Sequence, residues 1–121
     1  MLSIIPDLPP HVTGIRATGK VTKFDFEQVL IPAIDDLVKR TGKINYLLLL
    51  ETPISNFTLG AWIDDAKIGL KHFTQWNKIA IVTDQEAVKK FSDIFGYVVP
   101  GDSKGFKLSE LGEAKKWVSE N

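Results

Sequence analysis

Few side chains in this 121-residue sequence are of the types that catalyse reactions. Histidine occurs only as His11 and His72, and cysteine is absent. Without cysteine, disulfides, thiolate nucleophiles and thiolate metal ligands are excluded. His72 has no carboxylate within one helical turn, because Asp65 lies too far back for a direct pair, and no G-x-S-x-G motif is present. The sequence therefore predicts a protein that is not an enzyme.

Metal ions, nucleotides and nucleic acids are not expected as ligands. The two isolated histidines form no ligand set, and the acidic pairs Asp35-Asp36 and Asp64-Asp65 are typical of solvated helix faces. The glycines match neither a dinucleotide-binding fingerprint nor a Walker loop. Lysine plus arginine and aspartate plus glutamate number 15 each, without the basic excess of a nucleic-acid binder. We therefore expect no cofactor and no metal.

Two hydroxyl groups are candidates for phosphorylation. Ser55 and Thr58 follow a strongly apolar run and precede a predicted helix. A phosphate at a helix N-terminus would meet free N–H groups and the positive end of the helix dipole. In the simpler interpretation, Asn56 or Thr58 is an ordinary N-cap of that helix. Both interpretations remain open at this point.

The same part of the chain carries surplus apolar side chains beside lysines. Such residues can fold back as a lid over the core, or they can form a patch that binds an apolar ligand or a membrane surface. Lysines nearby would then face anionic headgroups or a carboxylate. The candidate residues for ligand or membrane binding are Ile54, Phe57, Trp62, Lys67, Ile68, Lys71 and Tyr97. A protein partner is a further alternative, including a homodimer formed through the helix that carries Ile68.

The strongest structural signal is the run from Ile44 to Leu50. It is almost entirely apolar and too short to span a membrane, so it predicts a strand that is buried on both faces of a sheet. After a polar turn, apolar residues recur at helical spacing from Thr58 to Phe73. Residues 78–82 predict a second buried strand, followed by a helix that begins near Thr83 and ends at Gly96.

The N-terminal part predicts two short strands and a helix. Residues 2–5 and 12–18 form an antiparallel pair in this interpretation, with a possible bulge at Gly14. Thr22 and Asp25 form a capping box that opens a helix to about residue 41. Pro32 should kink this helix, and Gly42 is the residue expected to end it. At the other end, Phe106 and Leu108 predict an edge strand, and Ser109 caps a last helix.

The element order is therefore ββαβαβαβα in one domain that spans residues 1–121. It predicts an α/β fold with a mixed four- to five-stranded sheet, an antiparallel N-terminal edge and about four helices. The sequence shows neither a signal peptide nor an apolar stretch of about 20 residues. We expect a cytoplasmic protein, with a peripheral position at the inner face of the membrane if it binds lipid.

Several short motifs, taken in order, resemble the SpoIIAA-like proteins, relatives of the STAS domains of anti-sigma-factor antagonists and sulfate transporters. The residues that carry the resemblance are Gly19-x-Val21-Thr22, Asp25, Pro32, the strand Leu47–Glu51, Leu59-Gly60-Ala61-Trp62, Lys71-His72-Phe73, the strand 78–82 and Glu113-Ala114-x-x-Trp117. The resemblance covers nearly the whole chain. It implies a four- or five-stranded mixed sheet with helices packed against it.

The resemblance implies two kinds of function. In regulatory STAS domains, phosphorylation of a serine after the central strand breaks binding to a partner kinase; here Glu51-Thr52-Pro53-Ile54 stands in place of the usual aspartate-serine pair. The family also resembles lipid-carrying domains, which implies an apolar ligand or membrane contact. We therefore expect a small binding domain for an apolar or lipid-like ligand or a membrane surface. The alternative is a STAS-type protein-interaction module controlled at Ser55 or Thr58.

Overall fold

The computed structural model describes residues 1–52, 75–84 and 102–120. They form a five-stranded sheet in the order β1-β2-β3-β4-β5. The strand bounds are Leu2–Ile4 (β1), Thr13–Ala17 (β2), Ile44–Leu50 (β3), Trp76–Val82 (β4) and Asp102–Phe106 (β5). Strands β1 and β2 are antiparallel, whereas β2, β3, β4 and β5 are mutually parallel. The mixed sheet and its antiparallel N-terminal edge confirm the prediction from sequence.

Strand β3 lies at the centre of the sheet, and all seven of its residues are buried. Successive side chains of a strand point to opposite faces, and β3 accordingly contributes to two apolar clusters. Cluster 1 contains Leu48 and Leu50 with residues of the first helical region, whereas cluster 2 contains Leu47 and Leu49 with residues of the last helix. An apolar run without alternation is what a strand covered on both faces requires.

The first helical region covers residues 23–41 and is not a uniform α-helix. Helix α1 is Lys23–Asp25, a π-helical turn covers Phe26–Leu30, and helix α2 is Ile31–Thr41. In the π-helical turn, the Ile31 N–H donates to the carbonyl oxygen of Phe26, five residues earlier. Proline lacks an N–H, and its ring crowds the preceding turn of an α-helix. The wider turn directly before Pro32 gives that ring room, so the expected disturbance takes the form of a π-helical turn.

Both ends of this helical region have the predicted caps. The Asp25 N–H donates to Thr22 Oγ1 at 3.3 Å, and the Thr22 N–H donates to Asp25 Oδ2 at 2.9 Å. At the other end, Gly42 has a φ of 73° and donates its N–H to the carbonyl oxygen of Val38. Because only glycine adopts such a φ without strain, it stops the helix at this point.

The last helix, α3, is Leu111–Ser119, and a 3₁₀ turn at Leu108–Glu110 precedes it. Two details of the sequence interpretation are wrong here. Leu108 begins the 3₁₀ turn and is not part of the edge strand. Ser109 does not cap the helix; instead, Glu110 Oε1 accepts the N–H of Lys107 at 2.9 Å. Helix α3 packs on the face of the sheet opposite α2, where Ala114 and Val118 are fully buried in cluster 2.

The predicted bulge at Gly14 is also wrong. Strand β2 pairs with β3 in an unbroken register, Gly14 with Leu47 and Ile15 with Leu48, and a register shift occurs instead between Ile44 and Asn45. Gly14 allows a close approach: a Cβ at this position would lie 2.4 Å from Leu8 Cδ1.

The expected number of helices is tested only in part. The described residues contain two helical regions, residues 23–41 and α3. The predicted helices at residues 58–73 and from Thr83 to Gly96 fall mainly on residues 53–74 and 85–101, outside the described residues.

Candidate functional site

The carboxyl ends of the four parallel strands meet at one edge of the sheet, which we call the carboxyl edge. The strands finish in register, because Ala17 pairs with Leu50 and Val82 pairs with Phe106. Loops at this edge of an α/β sheet are where ligands most often bind. Residues 53–74, which follow β3, and residues 85–101, which follow β4, both leave the described structure from this edge.

The turn between β2 and α1 is one wall of the carboxyl edge. Gly19 has a φ of 56°, which lets the chain reverse after β2. The capping box then fixes the first turn of α1, so Phe24 stands beside Asp25 without joining the apolar face of the helix. Its side chain is 67% exposed, and its neighbours Lys20 and Lys23 are also exposed. A large aromatic side chain is thus held in solvent, with two exposed lysines near it in sequence.

Two other chain segments join this turn. Thr52 Oγ1 donates to the carbonyl oxygen of Gly19 at 2.8 Å, which holds the start of the β3 loop against it. The amino group of Met1 donates to the carbonyl oxygen of Thr18 at 2.7 Å and lies 3.7 Å from Asp25 Oδ2. The Met1 residue is 65% exposed. The exposed apolar groups of Met1 and Phe24 are therefore brought to the same turn.

An ion pair crosses from β2 to β3 at this edge. Arg16 Nε donates to Glu51 Oε1, and Arg16 Nη2 donates to Glu51 Oε2 at 3.2 Å. These hydrogen bonds, together with the charge of Glu51, raise the pKa of Arg16 above its usual value. Each charge thus has a partner, and the pair is less available to a charged ligand than two separate side chains would be.

The polar groups at this edge form no catalytic arrangement among the described residues. Asp84 Oδ1 accepts the N–H of Leu108 at 2.9 Å and serves as a structural acceptor. No group of three or more histidine, aspartate or glutamate side chains in residues 1–52, 75–84 and 102–120 has the geometry to hold a metal ion. What the described edge can offer is apolar contact with positive charge beside it.

The described histidine lies at the opposite edge of the sheet. His11 Nε2 is 2.7 Å from the carbonyl oxygen of Ser119, and the His11 carbonyl oxygen accepts from Asn45 Nδ2 at 3.1 Å. Lys78 Nζ donates to the carbonyl oxygens of Trp117 and Glu120, at 3.0 and 2.8 Å. These contacts satisfy carbonyl groups at the C-terminus of α3. The half-buried His11 is thus a structural hydrogen-bonding group.

The residues predicted from sequence to form the site cannot be placed here. All nine lie outside the described residues: Ile54, Ser55, Phe57, Thr58, Trp62, Lys67, Ile68, Lys71 and Tyr97. His72 lies outside them as well. These assignments stay predictions, although the anchored Thr52 shows where the segment with Ile54 and Phe57 begins.

Sequence reasoning overlooked Phe24 and the Arg16–Glu51 pair. Phe24 had a usable signal, because it falls outside the helical stripe that Phe26, Leu30 and Leu37 define. The ion pair had none, since its partners are 35 residues apart and meet only through the register of β2 and β3.

Within the described ranges, every helix is too short or too polar to span a lipid bilayer.

Comparisons with known proteins agree with this architecture. A family model described as SpoIIAA-like matches residues 12–119. The crystal structure of an uncharacterised Shewanella loihica protein with a SpoIIAA-like fold is similar, with a TM-score of 0.71 and 25% sequence identity, over 97% of this chain and 93% of the other. No match was found among curated proteins. The matched residues include strands β2 to β5, the capped helical region and α3, and the chain belongs to the SpoIIAA-like family.

Proposed function

We propose that this domain is a non-enzymatic binding module whose carboxyl edge takes up an apolar or lipid-like ligand, either free or in a membrane surface. The observation that carries the proposal is the exposure of Phe24 and Met1 at one turn, with Lys20 and Lys23 alongside. Exposed apolar side chains with polar residues around them are typical of sites that bind apolar partners.

The rigidity of the turn supports this proposal. The reciprocal hydrogen bonds of Thr22 and Asp25 hold the first helical turn, so Phe24 cannot fold inward without breaking them. Covering a fully exposed phenylalanine is worth about 1.5–3 kcal/mol. A ligand that covers Phe24 would gain much of this free energy without reordering the backbone.

The charges at the turn indicate which forces would dominate. Lys23 Nζ lies 3.6 Å from Glu27 Oε1, so part of its charge is already balanced. The whole chain has no net charge. We therefore expect apolar contact to contribute more than attraction to anionic headgroups, and binding to weaken only modestly as salt rises.

The position of Thr52 extends the proposal to residues predicted from sequence. Its hydrogen bond to Gly19 holds Thr52 against the turn that carries Phe24, and Ile54 and Phe57 follow within five positions of the sequence. The proposal places these residues, with Trp62, Lys67, Ile68, Lys71 and Tyr97, around the same ligand.

Vesicle flotation tests the surface-binding form of this proposal. The full chain is mixed with phosphatidylcholine vesicles and with vesicles that also contain phosphatidylglycerol. We expect the wild-type chain to float with vesicles and Phe24→Ser to lose most of this binding. Ile4→Ser is the matched control, because Ile4 is also an exposed apolar residue but lies at the end of β1 that points away from the carboxyl edge. Equal loss in both variants would count against the carboxyl edge as the binding surface.

Mass spectrometry under native and denaturing conditions tests for a bound ligand. Extra mass that is lost on denaturation would identify a non-covalent ligand, and extraction would then give its chemical class. Extra mass of one phosphate that survives denaturation would instead favour the alternative, a STAS-type interaction module controlled at Ser55 or Thr58. A Ser55→Asp variant with unchanged partner binding would contradict that alternative.

A further inference from the structure

A second site lies at the other end of β2, away from the carboxyl edge. A cleft of about 250 Å³ is present where the connection between β1 and β2 faces helix α2. Its apolar walls are Ile4, Ile5, Pro6, Leu8, Val12 and Ala33. Its charged groups are Asp7, Asp36 and Arg40. None of these residues belongs to the carboxyl-edge site.

Specific contacts build the walls of this cleft. Leu8 and Ile5 lie against Gly14 of β2, where a Cβ would be 2.4 Å from Leu8 Cδ1, and both pack on cluster 2, so the connection is held from the α3 face of the sheet. Across the cleft, Arg40 Nη1 donates to the carbonyl oxygen of Pro10 at 2.6 Å, which joins α2 to the connection. The walls are therefore held by interactions on both sides.

The charges in the cleft do not cancel. Arg40 Nε donates to Asp36 Oδ2 at 2.8 Å, and these two residues neutralise each other. Within residues 1–52, 75–84 and 102–120, the exposed Asp7 carboxylate makes no hydrogen bond or ion pair. Asp7 also has a φ of 67°, so its backbone is in the left-handed region. Among the described residues, the cleft thus combines apolar walls with one negative charge that has no partner.

We propose that this cleft binds a small primary amine with an aliphatic body. The ammonium group would pair with Asp7, and the hydrocarbon would lie against Ile4 and Ala33, which line the cleft. A cavity of about 150 Å³ is sufficient to hold benzene, so the volume here suits a body of about six carbon atoms. A carboxylate or phosphate ligand is disfavoured, because Arg40 is already paired and Asp7 would repel an anion.

Three probes of equal length test the proposal: hexylammonium, hexanol and hexanoate. Each is titrated into the full chain, and the backbone amide signals of Val12, Thr13 and Gly14 report occupancy of the cleft by NMR. We expect hexylammonium to bind most tightly and hexanoate most weakly, with about a fivefold difference between them, the upper value for one exposed ion pair. Hexanoate binding as tightly as hexylammonium would overturn the proposal.

Asp7→Asn tests the ammonium partner. Asparagine tolerates the left-handed region as well as aspartate does, so this change removes the charge and preserves the backbone. We expect hexylammonium affinity to fall about twofold to fivefold while hexanol affinity is unchanged. Glu113→Gln on α3 removes the same charge elsewhere and should leave both affinities as they are. Equal affinity of hexylammonium for Asp7→Asn and wild type would overturn the proposal.

A second variant tests the apolar wall. Ala33→Leu would fill the cleft from α2, and leucine is well tolerated in helices. We expect amide shifts from both hexylammonium and hexanol to disappear, with the melting temperature measured to establish that the variant is folded. Unchanged binding in the folded variant would overturn the placement of the ligand. If Ala33→Leu does not fold, Asp7→Asn alone decides the outcome.

Discussion

Gly14→Ala is the sharpest test of how the β1–β2 connection packs. The new Cβ would lie 2.4 Å from Leu8 Cδ1 and 3.2 Å from Ile5 Cβ. The end of the Leu8 side chain would have to rotate away, and such overpacking typically costs about 1–3 kcal/mol. Replacing glycine returns about 0.4–1 kcal/mol by restricting the unfolded chain. The free energy of unfolding should therefore fall by about 0.5–2 kcal/mol, which for a net change of about 1 kcal/mol lowers Tm by about 4 °C.

Urea unfolding followed by tryptophan fluorescence measures this change. Gly112→Ala is the matched control, because a Cβ at Gly112 would meet nothing within 4 Å. Gly112 lies in α3, where alanine is favoured over glycine by up to about 1 kcal/mol, so the control should be neutral or stabilised.

A double-mutant cycle isolates the contact with Leu8. In a Leu8→Ala background the close atom is absent, and Gly14→Ala should then cost far less than in the wild type. An equal cost in both backgrounds would refute the assignment of the destabilisation to Leu8. A stabilised Gly14→Ala single variant would refute the close approach itself.

Two further predictions concern helix ends. Lys78→Met keeps the aliphatic stem of the side chain but removes the donors to the carbonyl oxygens of Trp117 and Glu120. We expect the free energy of unfolding to fall by about 1–2 kcal/mol and amide hydrogen exchange in the last turn of α3 to become faster. Unchanged exchange there would contradict the capping role. Thr22→Ala removes the side-chain half of the capping box with Asp25 and should lower the free energy of unfolding in urea by about 1 kcal/mol. Because Phe24 is then less restrained, vesicle flotation should also fall. A loss of stability without any change in flotation would contradict the argument from rigidity.

Much of the sheet was predictable because strands that are buried on both faces consist almost entirely of apolar residues. The apolar run 44–50 predicted the central strand, and the antiparallel edge followed from a connection too short for a crossover. The caps at Thr22 and Gly42 were predictable because they depend on residues close in sequence. The structure confirms each of these features.

Features that depend on contacts between distant segments were not predictable. Gly14 suggested a bulge from local pattern alone, whereas its role depends on Leu8 approaching from the connection. The Arg16–Glu51 pair and the cleft beside α2 likewise require the register of the sheet and the position of the helix. The candidate ligand and phosphorylation residues in 53–74 and 85–101 lie outside the described residues, so those assignments remain predictions.

The two apolar clusters differ in how far along the chain their contacts extend. Cluster 1 joins the first helical region to β2 and β3, which flank it in sequence, and β4 adds Trp76, Ile79 and Ile81. Cluster 2 forms only when α3 packs against strands that precede it by many residues in the sequence. A hydrogen bond between His11 and Ser119, 108 residues apart, fixes the C-terminal end of α3. Closing so long a loop is entropically costly and slows folding. We therefore expect the helical face of cluster 1 to form early in folding and the docking of α3 to complete the domain.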